Sequence, residues 1–78
     1  MSDVTEEGWE QQLRRRAATV RRAVEALDES VAAARLRGGL SFREIGNAAE
    51  INHERARTIA TRINGHTKTQ AALDAEQP

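Results

Sequence analysis

Polar side chains recur on one face of a predicted helix that begins after residue 52. Spacings of three and four residues place His53, Glu54, Arg57, Thr58 and Thr61 on the same side of that helix. Such side chains match the major groove of DNA, because arginine can pair with a guanine edge through two hydrogen bonds and a threonine methyl can contact thymine. We therefore predict that this face contacts bases, with Arg57 as its main guanine contact.

Two residues of the same segment have more than one interpretation. Asn52 joins the predicted base-contacting set because its amide could pair with adenine, although capping the helix is the favoured role. Glu54 could accept a hydrogen bond from cytosine, or it could only orient Arg57 or Thr58.

A second set of side chains is predicted to contact phosphates. Arg55 and Arg62 flank the polar face at a spacing of seven residues, and the start of the preceding helix adds backbone N–H donors. The predicted phosphate-contacting residues are Ser41, Arg43, Arg55, Arg62 and Lys68.

Two short helices joined by a turn are predicted to position these residues. Ser41 and Glu44 have the spacing of a capping box, so the first helix should begin there. Gly46 lies where a larger side chain would collide with the second helix, and Glu50 begins the turn. The residues expected to be buried are Phe42, Ile45, Ala49, Ala56, Ile59, Ala60 and Ile63.

The segment Ser41-Phe-Arg-Glu-Ile-Gly, followed by Ile51-Asn-His-Glu-Arg-Ala-Arg-Thr-Ile, resembles a known motif. It is similar to the helix-turn-helix of region four of bacterial primary sigma factors and of small regulators with the same three-helix headpiece. The resemblance covers about 23 of the 78 residues. It implies insertion of the second helix into a major groove, with promoter or operator DNA as ligand. Sigma-factor activity is not implied, because the long helix before this segment lies outside the resemblance.

This sequence departs from the family pattern at two positions. Glu50 occupies the turn position where the family usually has glycine, and a left-handed conformation there would cost about 1 to 2 kcal/mol. Ala56 stands where the family prefers Val or Ile, which predicts looser packing between the two helices.

A long helix is predicted from Glu6 to Arg37, with Asp3 or Thr5 as its N-cap and Gly38-Gly39 at its end. An apolar seam of about three heptads runs along it, which is the pattern of a helix that pairs with another helix. The seam comprises Leu13, Ala17, Val20, Val24, Leu27, Val31 and Ala34. Trp9 lies one turn earlier. The residues predicted to form a homodimer interface are Trp9, Leu13, Ala17, Val20, Val24 and Leu27. The alternative is an amphipathic helix folded onto a single three-helix domain.

The long helix is also expected to hold the helix-turn-helix of its own chain. Its predicted docking surface comprises Ala23, Ala26, Ala33, Leu36 and Leu40. The basic cluster at residues 14–22 is predicted to pair mainly with acidic neighbours such as Glu10, Glu25 and Asp28, rather than with DNA.

Composition limits the class of protein. The chain has 78 residues and no cysteine, so one small domain is expected, in a reducing interior. Helix-forming residues prevail, which predicts an all-α fold. No signal peptide or membrane-spanning segment is evident, so a cytoplasmic protein without a membrane partner is expected. The formal net charge is zero, but residues 35–68 carry seven basic and three acidic side chains, a net charge of +4.

The predicted organisation is a long helix for dimerisation and docking at residues 1–40, a helix-turn-helix at 41–64 and a polar tail at 65–78. Asn64-Gly65 should close the second helix, and the tail should be either disordered or a short helical turn capped by Thr67. His53 and His66 lack a third ligand at metal spacing, and no catalytic residues, metal or cofactor are predicted.

Three functions remain open at this point. The first is a bacterial or phage transcriptional regulator that binds an operator as a dimer, with RNA polymerase as a further candidate partner. The second is a DNA architectural or plasmid or phage segregation factor. The third is a helical protein-interaction module that does not bind DNA.

Overall fold

The computed structural model describes residues 6–77, and this part of the chain is helical with no strand. Its helices are α1 (Glu6–Leu36), α2 (Phe42–Ala49), α3 (His53–Asn64) and α4 (Gln70–Ala75). The predicted all-α fold, with a long N-terminal helix followed by shorter helices, is confirmed. The expected N-caps Asp3 and Thr5 lie outside the described residues.

The glycine pair after α1 turns the chain, as predicted. The backbone N–H groups of Arg37 and Gly38 both donate to the carbonyl of Ala33, at 2.8 and 3.2 Å. Gly39 has a φ of 69°, a left-handed conformation that costs glycine little. This turn reverses the chain so that α2 can pack against the end of α1.

A complete capping box starts α2. The Ser41 hydroxyl accepts a hydrogen bond from the Glu44 backbone N–H at 3.1 Å, and the Glu44 carboxylate accepts one from the Ser41 N–H at 2.8 Å. The bond from the Ser41 backbone and then the one with its side chain lower the pKa of Glu44 below its usual value. The sequence prediction for this end is confirmed.

The turn between α2 and α3 keeps the left-handed conformation despite its glutamate. Glu50 has φ 60° and ψ 42°, the one positive φ among the described non-glycine residues. Such a conformation costs a non-glycine residue about 1 to 2 kcal/mol. Gly46 makes the turn tight, because a Cβ there would lie 2.6 Å from the Ile51 carbonyl oxygen. The collision expected at Gly46 therefore involves the turn backbone, just before α3 begins.

We call α2, the turn and α3 the headpiece. It packs on the C-terminal end of α1 around one apolar core. The buried members are Val31, Phe42, Ile45, Ala56, Ile59 and Ala60, and Ala34, Leu40, Ala49 and Ile51 are partly buried against them. The alanine at position 56, which predicted looser packing, is fully buried.

Two expectations about burial were wrong, one of them in part. Of the predicted docking surface, Leu40 packs against the core and Ala33 and Leu36 are partly buried, but Ala23 and Ala26 are exposed. The docking surface on α1 is centred on Val31 and Ala32. The headpiece sits further toward the C-terminal end of α1 than expected, and it covers part of the predicted seam. Ile63 is 41% exposed, because the last turn of α3 faces α1 through Asn64.

Three polar contacts tie α1 to the chain at and after the end of α3, and we call them the polar row. The Arg62 guanidinium forms an ion pair with Asp28 at 2.7 Å. The Asn64 amide donates to the Ala32 carbonyl at 3.1 Å, and the Arg35 guanidinium donates to the Thr67 carbonyl at 2.7 Å. The α1 residues of this row are three or four positions apart and therefore share one face of the helix.

The tail contains a short helix with a different cap from the one predicted. The Thr69 hydroxyl accepts from the Ala72 N–H at 3.1 Å and caps α4, whereas the Thr67 carbonyl accepts from Arg35. An ion pair of 2.6 Å between Lys68 and Glu76 spans the helix.

Candidate nucleic-acid interface

The outward face of α3 presents all five of the predicted polar side chains. His53, Glu54, Arg57, Thr58 and Thr61 are exposed, while Ala56, Ile59 and Ala60 on the opposite face are buried. The helix is therefore fixed on its scaffold by one side and leaves the other side open to a partner.

Glu54 links the first turn of this face. Its carboxylate lies 3.6 Å from His53 Nε2 and 3.8 Å from Arg57 Nε, and its backbone carbonyl accepts from the Thr58 hydroxyl at 3.0 Å. Exposed ion pairs of this kind contribute only about 0 to 1 kcal/mol. The arrangement therefore orients Arg57 in the free protein without preventing it from turning toward a ligand.

Arg57 also contacts the core of the headpiece. Its guanidinium carbon lies 4.9 Å from the centroid of the Phe42 ring, and that of Arg35 lies 4.4 Å from the same centroid. Cation–π contacts at exposed sites contribute about 0.5 to 1 kcal/mol. Arg35 had no predicted role, yet it also donates to the Leu40 carbonyl and so fixes the turn before α2. Its link to Thr67 spans 32 residues, so no local pattern could have revealed it.

The cap of α3 occupies the amide of Asn52. Its side-chain oxygen accepts from the Arg55 backbone N–H at 2.7 Å, so the capping role is confirmed. The NH₂ group and the second lone pair of that oxygen remain for a contact with adenine.

The predicted phosphate-contacting residues fall into two groups. The guanidinium groups of Arg43 and Arg55 are exposed and have no partner among the described side chains, those of residues 8–77. Ser41, Arg62 and Lys68 are engaged within the chain, in the capping box, with Asp28 and with Glu76. The structure thus leaves Arg43 and Arg55 as the most available cations of the set.

The residues predicted to form a dimer lie on an uncovered stripe, which we call the α1 stripe. It contains Trp9, Leu13, Ala17, Val20, Val24 and Leu27, all of them exposed. Trp9, Leu13 and Val20 are 55%, 64% and 61% exposed, far more than the core residues. Arg14 of the nearby basic cluster pairs with Glu10 at 3.7 Å, as expected, whereas Asp28 pairs with Arg62 instead.

The α1 stripe runs into an open apolar groove between α1 and α2. The groove has a volume of about 200 Å³. Its lining includes Leu27, Val31, Ala34, Leu40, Ala48 and Ala49. Leu27 belongs to both features, so stripe and groove form one continuous apolar surface.

Other kinds of site find little support in the described part of the chain. No three His, Cys, Asp or Glu side chains in the range 8–77 are placed to hold a metal ion. None of the described helices is both long and apolar enough to cross a membrane. Comparison with known proteins gives no relative: no family model, curated protein or solved structure matches this chain.

Proposed function

We propose that this protein binds double-stranded DNA, with α3 inserted in the major groove, and acts as a small dimeric transcriptional regulator. The observation that carries the proposal is the division of α3 into a buried apolar face and an exposed face of His, Glu, Arg and Thr side chains. A recognition helix needs this division, because one face must fix it on the scaffold while the other meets base edges.

Arg57 is the main base-contacting residue in this proposal. Glu54 and the Phe42 ring hold its guanidinium near the outward face before DNA arrives. A bidentate contact with guanine would then replace the weak pair with Glu54, which is free to accept from a neighbouring cytosine. His53, Thr58 and Thr61 lie beside it and complete the contact face.

Phosphate contacts come from the two available arginines. Arg43 on α2 and Arg55 on α3 would fix the helix relative to the backbone of the duplex. Two such cations per chain give low affinity at physiological salt, because each phosphate contact must displace counterions. A second copy on a neighbouring half-site would supply the missing contacts, and this is one reason to propose a dimer.

A matched pair of variants tests the residue roles. We expect Arg57→Ala to weaken the preferred DNA site by about 1 to 3 kcal/mol and to relax its sequence preference. Arg55→Ala should weaken all sequences alike and make the salt dependence less steep. Arg55 is a better control than Arg62, whose replacement would also break the ion pair with Asp28.

Sites selected from random DNA provide the sequences for this test, and titration at several salt concentrations provides the affinities. Equal and uniform losses for both variants would contradict the assignment of Arg57. A single protected palindrome supports an operator-binding regulator, whereas a long protected array would favour an architectural or segregation factor.

The exposed α1 stripe favours one rival function, a helical module that binds another protein. That module would show no salt-dependent affinity for DNA of any sequence. The same titration therefore separates the DNA-binding regulator from the interaction module. If the protein binds no DNA at any salt concentration, only the interaction module remains.

A further inference from the structure

We propose that the α1 stripe and the groove are covered by a second copy of this chain, whose α1 runs antiparallel. This inference deepens the dimer of the proposed function and does not depend on DNA binding. The N-terminal turns of one α1 would lie over the groove of the other protomer, so that each headpiece is completed by its partner.

The pattern of charge along α1 favours the antiparallel direction. The sequence has an acidic block at residues 6–10, a basic block at 14–22, an acidic block at 25–29 and a basic end at 35–37. A parallel pair in register would place every block against its own copy. An antiparallel pair places 6–10 at the level of 35–37 and 14–16 at the level of 28–30, so blocks of opposite charge lie side by side, while Asp28 and Arg35 keep their contacts within the chain. Like charges are then adjacent only near the two-fold axis, at Arg21 and Arg22.

The apolar positions give the register of this pair. Antiparallel seams match best when Val20 lies opposite the partner's Val24 and Ala17 lies opposite the partner's Leu27. Continuing the same register brings Leu13 to the level of Val31, and Trp9 to the level of residue 35, next to Ala34 of the groove. The exposed large side chains of one protomer therefore reach the open apolar surface of the other.

The size of the groove fits side chains rather than a whole helix. Its volume is about 200 Å³ and it is open to solvent on one side. Trp9 is the largest exposed side chain of the stripe, and Leu13, the most exposed of its large side chains, lies one turn after it. Their entry would bury apolar surface on both partners, which is the main driving force for association.

This arrangement also spaces the two headpieces. With Leu13 opposite the partner's Val31, the two copies of Val31 lie about 27 Å apart along the helix axes, from 18 residues at 1.5 Å each. The sideways offset of the headpieces adds to this distance. The axial part alone is somewhat shorter than the turn of about 34 Å that separates half-sites on DNA.

Cysteine cross-linking without DNA tests the direction. The chain has no cysteine, so introduced thiols are unique. We expect an equimolar mixture of Ala17→Cys and Leu27→Cys to form a mixed disulfide dimer, while Ala17→Cys alone stays uncross-linked. Cross-linking of Ala17→Cys to itself, or a monomer mass at all concentrations in sedimentation, would overturn the proposal.

Fluorescence of the single tryptophan tests the groove. Trp9 emission should shift to shorter wavelength as the concentration rises and the ring leaves water. Ala48→Glu places a charge in the groove and should weaken self-association by about tenfold or more, whereas Asn47→Glu changes an exposed neighbour on α2 and should not.

Far-UV circular dichroism shows whether both variants fold. Equal behaviour of the two folded variants would mean that the groove is not covered by the partner. Because none of these measurements contains DNA, failure of the antiparallel dimer is distinguishable from failure of the DNA-binding proposal.

Discussion

Val24 and Val31 lie two helical turns apart on α1, yet Val24 is 43% exposed and Val31 only 3%. Both belong to the same predicted apolar seam, and both are in regular helix. The difference is the headpiece, which covers α1 from about Asp28 onward and leaves the preceding turns without cover. One helix therefore contains a region stabilised within the chain and a region whose apolar surface requires another partner.

The largest expected difference is between truncating a side chain to alanine in the headpiece and truncating one in the α1 stripe. Ile59→Ala should destabilise the protein by about 2 to 5 kcal/mol, because it removes buried methylene groups and leaves a cavity. Val20→Ala should change stability by only about 0.5 kcal/mol in dilute solution, where the stripe is exposed. Urea unfolding at low and high protein concentration measures both. If Val20→Ala were as costly as Ile59→Ala in a dilute monomer, the two regions would not differ as described.

A second test concerns the tight turn in the headpiece. Gly46→Ala should cost about 1 to 3 kcal/mol, because the new Cβ would meet the Ile51 carbonyl oxygen and force the backbone to move. Asn47→Ala, at the exposed neighbouring position, serves as the control and should be nearly neutral. Thermal unfolding of the two variants gives the comparison, and equal midpoints would show that the turn can widen freely.

Replacing glutamate with glycine should change the free energy of unfolding in opposite directions in the two regions. Glu50→Gly should stabilise the protein by up to about 1 kcal/mol, because the left-handed cost exceeds the added flexibility of glycine. Glu25→Gly in the exposed part of α1 should destabilise it by about 0.5 to 1 kcal/mol. Chemical denaturation of both variants checks the signs. A loss at Glu50 would indicate that its conformation carries no strain.

The smallest expected effect is the pH dependence of stability that arises from the exposed capping box of α2. The pKa of Glu44 is lowered in the folded protein, so its stabilising contribution is present above the unfolded pKa and is lost as pH falls through the folded pKa. Glu44→Gln should remove that part of the acid dependence of stability, as measured by unfolding between pH 7 and acid. Ser41→Ala should reduce the same dependence, and an unaltered acid limb in both variants would contradict the role of the capping box.

Local chemistry explains which features could be predicted from the sequence. The helix ends at Ser41, Asn52 and Gly65 were correct, because a cap depends on residues within about four positions of it. The sequence located the turn at Glu50 but did not decide whether that residue is left-handed. Its conformation depends on how closely Gly46 approaches the backbone of the turn, which only the folded structure gives.

Contacts distant in sequence explain what could not be predicted. Apolar residues lie on more than one face of α1 near its end, so the choice of Val31 and Ala32 over Ala23 and Ala26 required the packed headpiece. Arg62 was assigned to phosphates from its position on α3, whereas its ion pair with Asp28 joins residues 34 apart. The exposed face of α3 has the predicted composition, and its contact with bases stays a prediction.

The polar row on α1 has a consequence for the order of folding. Its members join residues 32 to 34 positions apart, whereas α2 and α3 meet across one short turn. Contacts close in sequence form fastest, because less chain entropy is lost when they close. The helical pair should therefore assemble early and dock on α1 later, when Asp28, Ala32 and Arg35 engage their partners. Substitutions in the polar row should then mainly speed unfolding and leave the folding rate nearly unchanged.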